Sequence, residues 1–279
     1  TAKSPPVSKS DSERQKVEMR QRFEQLLSGK RLRPRRKSRT SSTQSEPNAD
    51  PEYSHYLELI EPELKHSSEQ IKSWLAMNPD SPTISILIPT YNTKSDHLRA
   101  CLDSICAQSY PQWELCICDD CSSQSHVCEI LTEYAEQDER IKLTFRQENG
   151  HICQSSNDAL ALATGEFIAL VDHDDVLADD ALYWIARELQ LRPCSNLVYS
   201  DEDKIDESGR RSSPHFKPSF NIDLLLAYNF ISHLGVYRTE IVRSVGGFRI
   251  GLEGSQDHDL ALRVVQQSPS LGSGETDCH

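Results

Sequence analysis

The stretch ALVDHDD, residues 169–175, ends an apolar run with three carboxylates in four residues. The apolar part begins at Phe167 and has the composition of a strand buried on both faces, as in a parallel sheet covered by helices. Carboxylates this close repel one another, and burying even one without a partner costs several kcal/mol. The stretch therefore predicts a core strand whose end points into an acidic site.

Similar apolar runs alternate along the chain with segments whose apolar residues have helical spacing. The predicted strands are ISILIP (84–89), ELCIC (114–118), IKLTF (141–145), EFIALV (166–171) and NLVYS (196–200). Helices are predicted between them, among others at 157–163 and 180–191. This alternation predicts an α/β fold with a doubly wound, mostly parallel sheet flanked by helices.

Acidic or polar residues follow four of these strands. They are PTYN at 89–92, DDCS at 119–122, DHDD at 172–175 and SDED at 200–203. In such sheets ligands bind beyond the carboxyl ends of the strands, so we expect the carboxylates to converge on one crevice. Mg²⁺ is commonly held by one or two carboxylates together with substrate phosphates. The pattern predicts Mg²⁺ or Mn²⁺ holding a phosphorylated ligand; the alternative for DHDD is a solvated turn that caps a helix.

The distribution of charge divides the chain of 279 residues. Residues 1–50 carry 13 Lys and Arg against 6 Asp and Glu, whereas the other 229 residues carry 17 against 37. The net charge of the whole chain is −13. We expect residues 1–50 to be a disordered basic leader, 51–80 a helical linker, 81–267 the α/β domain and 268–279 an irregular tail. The basic run at 30–37 is either a solvated tail or a segment for peripheral association with an acidic membrane. No nucleic-acid partner is expected.

Composition also bears on location. No apolar run approaches the roughly 20 residues of a membrane span, and no signal-peptide pattern is visible. Most of the nine cysteines lie in apolar patterns, which predicts reduced, buried thiols and a cytoplasmic protein, at the inner face of the membrane if the leader docks there. A zinc site is suggested by Cys116, Cys118, Cys121, Cys128 and His126, but the spacing matches no common finger and favours structural cysteines.

Five motifs, taken in order, resemble glycosyltransferase family 2: SILIPTYN, CICDDCS, ALATGEFIALVDHDD, VYSDED and EGSQDHDLALRV. The resemblance covers residues 81–267 and implies a GT-A fold. It implies an inverting enzyme that moves a sugar from a nucleotide-diphosphate sugar to a saccharide or lipid-linked saccharide acceptor in the synthesis of O-antigen, rhamnan or capsule-type polysaccharides. The tail after residue 267 is unlike the family, so the family domain is expected to be incomplete at its C-terminal end.

The resemblance also implies roles for individual residues. Those expected to bind the nucleotide sugar are Pro89, Thr90, Tyr91, Asp119, Asp120, Asn157 and Asp172. Those expected to bind the metal are Asp174 foremost, with Asp172 and Asp175. Asp257 is the expected catalytic base, with Asp259 as its rival, and Asp201 and Glu202 are expected to bind the acceptor. Helix capping remains the alternative for Asp119, Asp120, Asn157 and Asp257, and a surface turn for 201–202.

Further side chains and functions stay open. Lys217, Asn229 and His233 lie in a segment that resembles the acceptor side of the family, although buried polar groups satisfied within the protein are an equal interpretation. Two alternative functions would use the same predicted site for a nucleotide and a metal ion. One is a truncated, non-catalytic nucleotide-sugar-binding protein, and the other is a Mg²⁺-dependent nucleotidyltransferase.

Overall fold

The computed structural model describes residues 51–267, so the predicted leader (1–50) and tail (268–279) lie outside the described residues. The segment predicted as a helical linker contains α1 (Pro51–His55), a π-helical turn (Tyr56–Ile60), α2 (Glu61–Leu64) and α3 (Ser68–Met77). A capping box begins α3: the Ser67 hydroxyl accepts a hydrogen bond from the Gln70 amide, and the Gln70 side chain accepts one from Ser67.

Strands and helices then alternate as predicted. In chain order they are β1 (Ile84–Thr90), α4 (Ser95–Cys106), β2 (Trp113–Asp119), α5 (Ser125–Gln137), β3 (Ile141–Phe145), α6 (His151–Leu162), β4 (Phe167–Leu170), α7 (Ala181–Leu191), β5 (Leu197–Tyr199), β6 (Glu202–Ile205), β7 (Arg211–His215), α8 (Ile222–Ala227), β8 (Gly235–Arg238), α9 (Thr239–Ser244) and α10 (Gln256–Gln267).

Six strands form one sheet in the order β3-β2-β1-β4-β8-β5. Strands β3, β2, β1 and β4 are parallel, and β8 runs antiparallel between β4 and β5. The α/β class and the mostly parallel sheet are confirmed. The direction of strand succession reverses between β1 and β4, which is where ligands bind in open sheets of this kind.

Apolar residues cover both faces of the sheet. Along β1, Ile84, Ile86 and Ile88 pack into one core with α3, α4, α5 and α7, whereas Leu87 packs into a second core with α6 and α8–α10. This alternation follows from the two-residue period of a strand. Because both faces are covered, the polar residues of the central strands lie at their ends.

The thiols are less uniformly buried than the sequence suggests. Eight cysteines lie among the described residues and all are free; Cys106, Cys121 and Cys194 are exposed, which corrects the expectation of mostly buried thiols. Burial raises the pKa of Cys116 to about 12 and that of Cys118 to about 11, consistent with inert structural roles. Within 51–267 no cysteine joins a group of metal-ligating side chains.

Between residues 51 and 267, helices of the length and hydropathy that a bilayer crossing requires are absent.

Candidate active site

Three side chains at the carboxyl edge of the sheet converge. Asp172 and Asp175 follow β4, and His233 precedes β8; one ligand atom from each lies within 4.8 Å of the others. The Nε2 atom of His233 is 3.4 Å from Asp172 Oδ2, and its Nδ1 atom is 3.9 Å from Asp175 Oδ2. We call Asp172, Asp175 and His233 the acidic triad.

Electrostatics within the acidic triad favour a bound cation. Burial, together with the carboxylates of Asp172 and Asp174, raises the pKa of Asp175, and the neighbouring His233 opposes this shift. The Nδ1 atom of His233 is buried and has no hydrogen-bond partner within the described part of the chain. Two carboxylates and an imidazole form a donor set that fits a divalent metal ion.

Asp174 and His173, which lie between the two acidic ligands, take other positions. Asp174 is exposed and is not part of the acidic triad. His173 turns back to the end of β1, where its Nδ1 atom is 3.2 Å from the Pro89 carbonyl oxygen.

Buried polar contacts fix His233. Its backbone N–H donates to Glu202 Oε2 at 3.1 Å, and Lys217 donates from Nζ to its carbonyl oxygen at 2.6 Å. Lys217 also donates to the Ile231 carbonyl at 2.6 Å, and its side chain is only 1% exposed. Burial lowers the pKa of Lys217, opposed by the nearby charge of Glu202.

Asp257 is joined to the same segment. It lies in the first turn of α10, and its Oδ2 atom accepts a hydrogen bond of 2.7 Å from the side chain of Asn229. The Asn229 oxygen in turn accepts from the backbone N–H of Ser232, the residue before His233, at 3.3 Å. Asn229 therefore connects the expected catalytic base to the segment that carries His233.

Asp259, the alternative catalytic base, forms ion pairs with two arginines. It pairs with Arg263 at 2.7 Å and with Arg249 at 3.3 Å. Arg263 is buried and also donates to the carbonyl oxygens of Val245 and Gly247. Asp259 thus anchors the loop before α10, whereas no ion pair involves Asp257 within residues 51–267.

The pocket expected to bind the base of the nucleotide lies at the ends of β1 and β2. Thr90 is buried, and its hydroxyl has no hydrogen-bond partner among the described residues, which leaves a polar atom for a ligand. The next residue, Tyr91, is 46% exposed and offers an aromatic ring at the rim. The backbone N–H of Asp120 donates to the Thr90 carbonyl at 2.8 Å, so the two strand ends are held together.

Asp119, the last residue of β2, and Asp120 are buried and make contacts within the protein. Asp119 accepts hydrogen bonds from the backbone amide and the hydroxyl of Ser122; this is a turn contact and not the helix cap considered above, because α5 begins only at Ser125. Asp120 accepts from the Gly150 amide at 2.8 Å and pairs with Arg146 at 3.0 Å. Arg146 follows a different strand, β3, and no sequence pattern indicates that it pairs with Asp120.

Asn157 lies inside α6, not at its start as expected, because the helix begins six residues earlier. Its side-chain amide donates to the Phe248 carbonyl and accepts from the Phe248 amide, both at 2.8 Å. A Cβ atom on the neighbouring Gly247, whose φ is +65°, would lie 2.4 Å from Asn157 Oδ1. Asn157 therefore holds the glycine loop that leads toward Asp257.

Of the two residues expected on the acceptor side, Asp201 is exposed and Glu202 is half-buried. Asp201 Oδ1 accepts from the Lys217 backbone amide at 2.6 Å. Burial would raise the pKa of Glu202, but the hydrogen bond with His215 and the charge of Lys217 outweigh it and lower the pKa. Glu202 therefore stays ionised beside the acidic triad.

The described residues thus define a doubly wound α/β protein with a candidate cation site where the strand order reverses. The sequence profile of Glycosyl transferase family 2 matches residues 85–246, more than half of the chain. The chain belongs to this family.

Two curated bacterial proteins illustrate the relationship. The uncharacterized protein y4gI of Sinorhizobium fredii is 47% identical over 188 residues, which cover 67% of this chain and 21% of that protein. The O-antigen biosynthesis protein RfbC of Myxococcus xanthus is 36% identical over 191 residues, which cover 68% of this chain and 15% of that protein. The match thus spans about a fifth or less of these relatives.

Solved structures support the fold. The S. aureus protein TarS, residues 1–349 in complex with UDP-GlcNAc, has a TM-score of 0.55 and 23% identity, with 65% of this chain and 53% of that chain covered. The mannosyltransferase PcManGT from Pyrobaculum calidifontis, in complex with GDP-Man and Mn²⁺, has a TM-score of 0.52 and 21% identity, with 72% and 59% covered. These similarities confirm the expected GT-A fold.

Proposed function

We propose that this chain transfers a sugar from a nucleotide-diphosphate sugar to a hydroxyl of a saccharide or lipid-linked saccharide, with inversion at the anomeric carbon. The observation that carries the proposal is the acidic triad at the strand ends, together with Asp257, whose carboxylate is held by Asn229 from the segment just before His233. The relatives support it, since one is named for O-antigen biosynthesis and two solved neighbours hold sugar nucleotides.

The acidic triad is proposed to hold Mn²⁺ or Mg²⁺, with Asp174 as a further acidic ligand. Carboxylates suit both ions, whereas an imidazole ligand is more typical of transition metals, so the donor set favours Mn²⁺. A divalent cation held there would act as a Lewis acid toward the diphosphate leaving group.

The donor is proposed to lie across the ends of β1, β2 and β4, with Pro89, Thr90 and Tyr91 around the base. Asp119 and Asp120 shape this pocket from its buried side, and Asp120 adds the backbone contact to Thr90. Asn157 acts from α6 by holding the loop at Phe248. Asp172 contributes to both the donor pocket and the cation site.

Asp257 is proposed to take the proton from the acceptor hydroxyl as the oxygen attacks the anomeric carbon from the face opposite the diphosphate. A sugar hydroxyl ionises too weakly at neutral pH to attack without a base. Among residues 51–267, the bond from Asn229 is the only hydrogen bond to the Asp257 side chain; it orients the carboxylate and leaves the second oxygen available. Asp201 and Glu202 are proposed to contact the acceptor next to this group.

Lipid-linked acceptors reside at membranes. We propose that the basic run at 30–37, outside the described residues, draws the chain to the acidic inner face of the membrane.

A product assay tests the function. The protein is incubated with labelled nucleotide sugars, Mn²⁺ and saccharide acceptors, and the products are separated by mass. Formation of a glycoside together with a nucleoside diphosphate supports sugar transfer. Release of diphosphate would indicate nucleotidyl transfer instead, and binding of the donor without any product would indicate a non-catalytic binder.

A further inference from the structure

The helical segment 51–64 packs against the β6–β7 hairpin, and we call this segment the brace. Tyr53 is only 6% exposed, and its hydroxyl donates a hydrogen bond to Asp203. The rings of Tyr53 and Tyr56 meet the ring of Phe216 edge-on, with centroids 6.3 and 5.3 Å apart. Aromatic pairs in this arrangement add stability beyond the area that they bury.

An ion-pair network joins the same two elements. Arg211 Nη1 donates to both carboxylate oxygens of Glu61, at 2.7 and 2.8 Å, and its Nε atom donates to Asp203 at 2.6 Å. Burial alone would lower the pKa of Arg211, but the two carboxylates outweigh it and raise the pKa. Arg211 therefore stays charged and ties β7 to both α2 and β6.

The residues next to these contacts face the acidic triad. Adjacent residues of extended chain point to opposite sides. Thus Asp203 contacts the brace, whereas Glu202 accepts the backbone N–H of His233 at 3.1 Å. Likewise Phe216 packs on the brace, whereas Lys217 donates to the His233 carbonyl at 2.6 Å.

We propose that the brace positions the hairpin and thereby sets the place of His233 in the acidic triad. Glu61 and Arg211 are positioning residues that act through Glu202 and Lys217. The functional unit then includes residues 51–64, ahead of the family-matched region 85–246. The inference rests on the proposed function, because it takes the acidic triad as the cation site.

The most direct variant is Glu61→Ala. It removes both bonds from the brace to Arg211 but leaves Arg211 paired with Asp203, so no buried charge loses all partners. Mn²⁺ binding is measured from the loss of the free-ion electron paramagnetic resonance signal, with Mn²⁺ alone and with UDP present. We expect roughly tenfold weaker Mn²⁺ binding, at the lower end of the effect of residues that orient metal ligands.

Matched variants separate positioning from general stability. Arg210→Gln is the control, because Arg210 lies beside Arg211 but pairs within the hairpin, with Asp206 at 3.1 Å. It should leave Mn²⁺ binding unchanged. Arg211→Gln should reproduce the loss seen for Glu61→Ala, and Arg211→Lys should restore part of it. Thermal unfolding of each variant is recorded in parallel.

The outcomes are distinct. If the unaltered protein binds no Mn²⁺, the proposed function itself fails. If it binds Mn²⁺ and the Glu61 and Arg211 variants bind it equally well, even with lower melting temperatures, the brace is only structural and this inference is overturned. If the Glu61 and Arg211 variants fail to fold, Tyr53→Phe, which loses only the hydroxyl that binds Asp203, takes their place. Its Mn²⁺ binding is compared with that of the unaltered protein, and equal binding would overturn the inference.

Discussion

Carboxylates at the strand ends differ in whether a basic side chain lies beside them. Arg146 pairs with Asp120 at 3.0 Å, and Lys217 lies 3.6 Å from Glu202. By contrast, no Lys or Arg of residues 51–267 pairs with the acidic side chains of 172–175. Repulsion among these carboxylates therefore remains, and the proposed cation would relieve it.

The sequence identified the acidic cluster but not the partners that surround it. An acidic run directly after an apolar strand is visible in one stretch of the chain. Arg146, Lys217 and His233 reach the same edge from other elements, and only the fold brings them together. His233 belongs to a segment that resembles the acceptor side of the family, yet its place beside Asp172 depends on β8, a strand that the sequence pattern does not reveal.

Asp257→Asn should abolish sugar transfer while nucleotide-sugar binding stays intact. The amide keeps the shape of the side chain but accepts no proton, so turnover should fall by about 10²–10⁴-fold. Turnover and donor affinity are measured on the same preparation. Asp259→Asn is the control, because it breaks the ion pair with Arg263 and should lower stability first. Near-normal turnover of Asp257→Asn would reject Asp257 as the base.

Asp175→Ala and Asp174→Ala test which carboxylates hold the cation. Loss of a ligand in the acidic triad should weaken nucleotide-diphosphate binding by about tenfold or more in Mn²⁺ and much less in EDTA. Calorimetric titrations in both conditions give this difference for each variant. A larger effect at Asp174 than at Asp175 would show that the bound site differs from the acidic triad.

At the scale of elements, the strands that the sequence predicts are those marked by a run of apolar residues. The five predicted strands are present because each carries a run of apolar residues that the sheet buries. Strand β8 was missed because GVYR, at 235–238, begins with glycine and ends with arginine, which leaves only two consecutive apolar residues. The start of α6 was missed because its buried face includes serines, and Ser155 donates to the Cys118 carbonyl.

Glu114 provides a prediction for the amino end of the sheet. Its carboxylate on β2 accepts from Lys142 at 2.6 Å, from Ser85 at 2.7 Å and from Thr164 at 2.7 Å. Burial alone would raise its pKa, but these bonds outweigh it and lower the pKa to about 2. The ionised carboxylate therefore stabilises the fold above the unfolded pKa near 4.5, and this stabilisation is lost as the pH falls toward 2.

Glu114→Gln should thus lower the free energy of unfolding at pH 7 by roughly 2–3 kcal/mol. Its stability should also vary less between pH 4.5 and pH 2 than that of the unaltered protein. Denaturant unfolding at several pH values measures both effects, with the exposed Glu139→Gln as the control. Equal pH dependence of Glu114→Gln and the unaltered protein would contradict this role for the buried carboxylate.

At the scale of the whole molecule, the motifs along the chain agree in position with the elements of the fold. Each motif of the family resemblance lies at or near a strand end or a helix start, so the periodic pattern and the motifs predict the same edge of the sheet. The identity of the sugar was not predictable. Under the proposed function it depends on the shape of the donor pocket, and loops such as 246–255 take their conformation from distant contacts including that of Asn157 with Phe248.

The most direct test is the melting temperature of the protein with a panel of nucleotide sugars, in Mn²⁺ and in EDTA. A ligand at 100 times its dissociation constant stabilises the folded state by about 2.7 kcal/mol. The account predicts a clear rise for at least one nucleotide sugar in Mn²⁺, which disappears in EDTA and in Asp175→Ala. No rise with any nucleotide sugar, or the same rise in EDTA, would contradict a cation-assisted donor site at the strand ends.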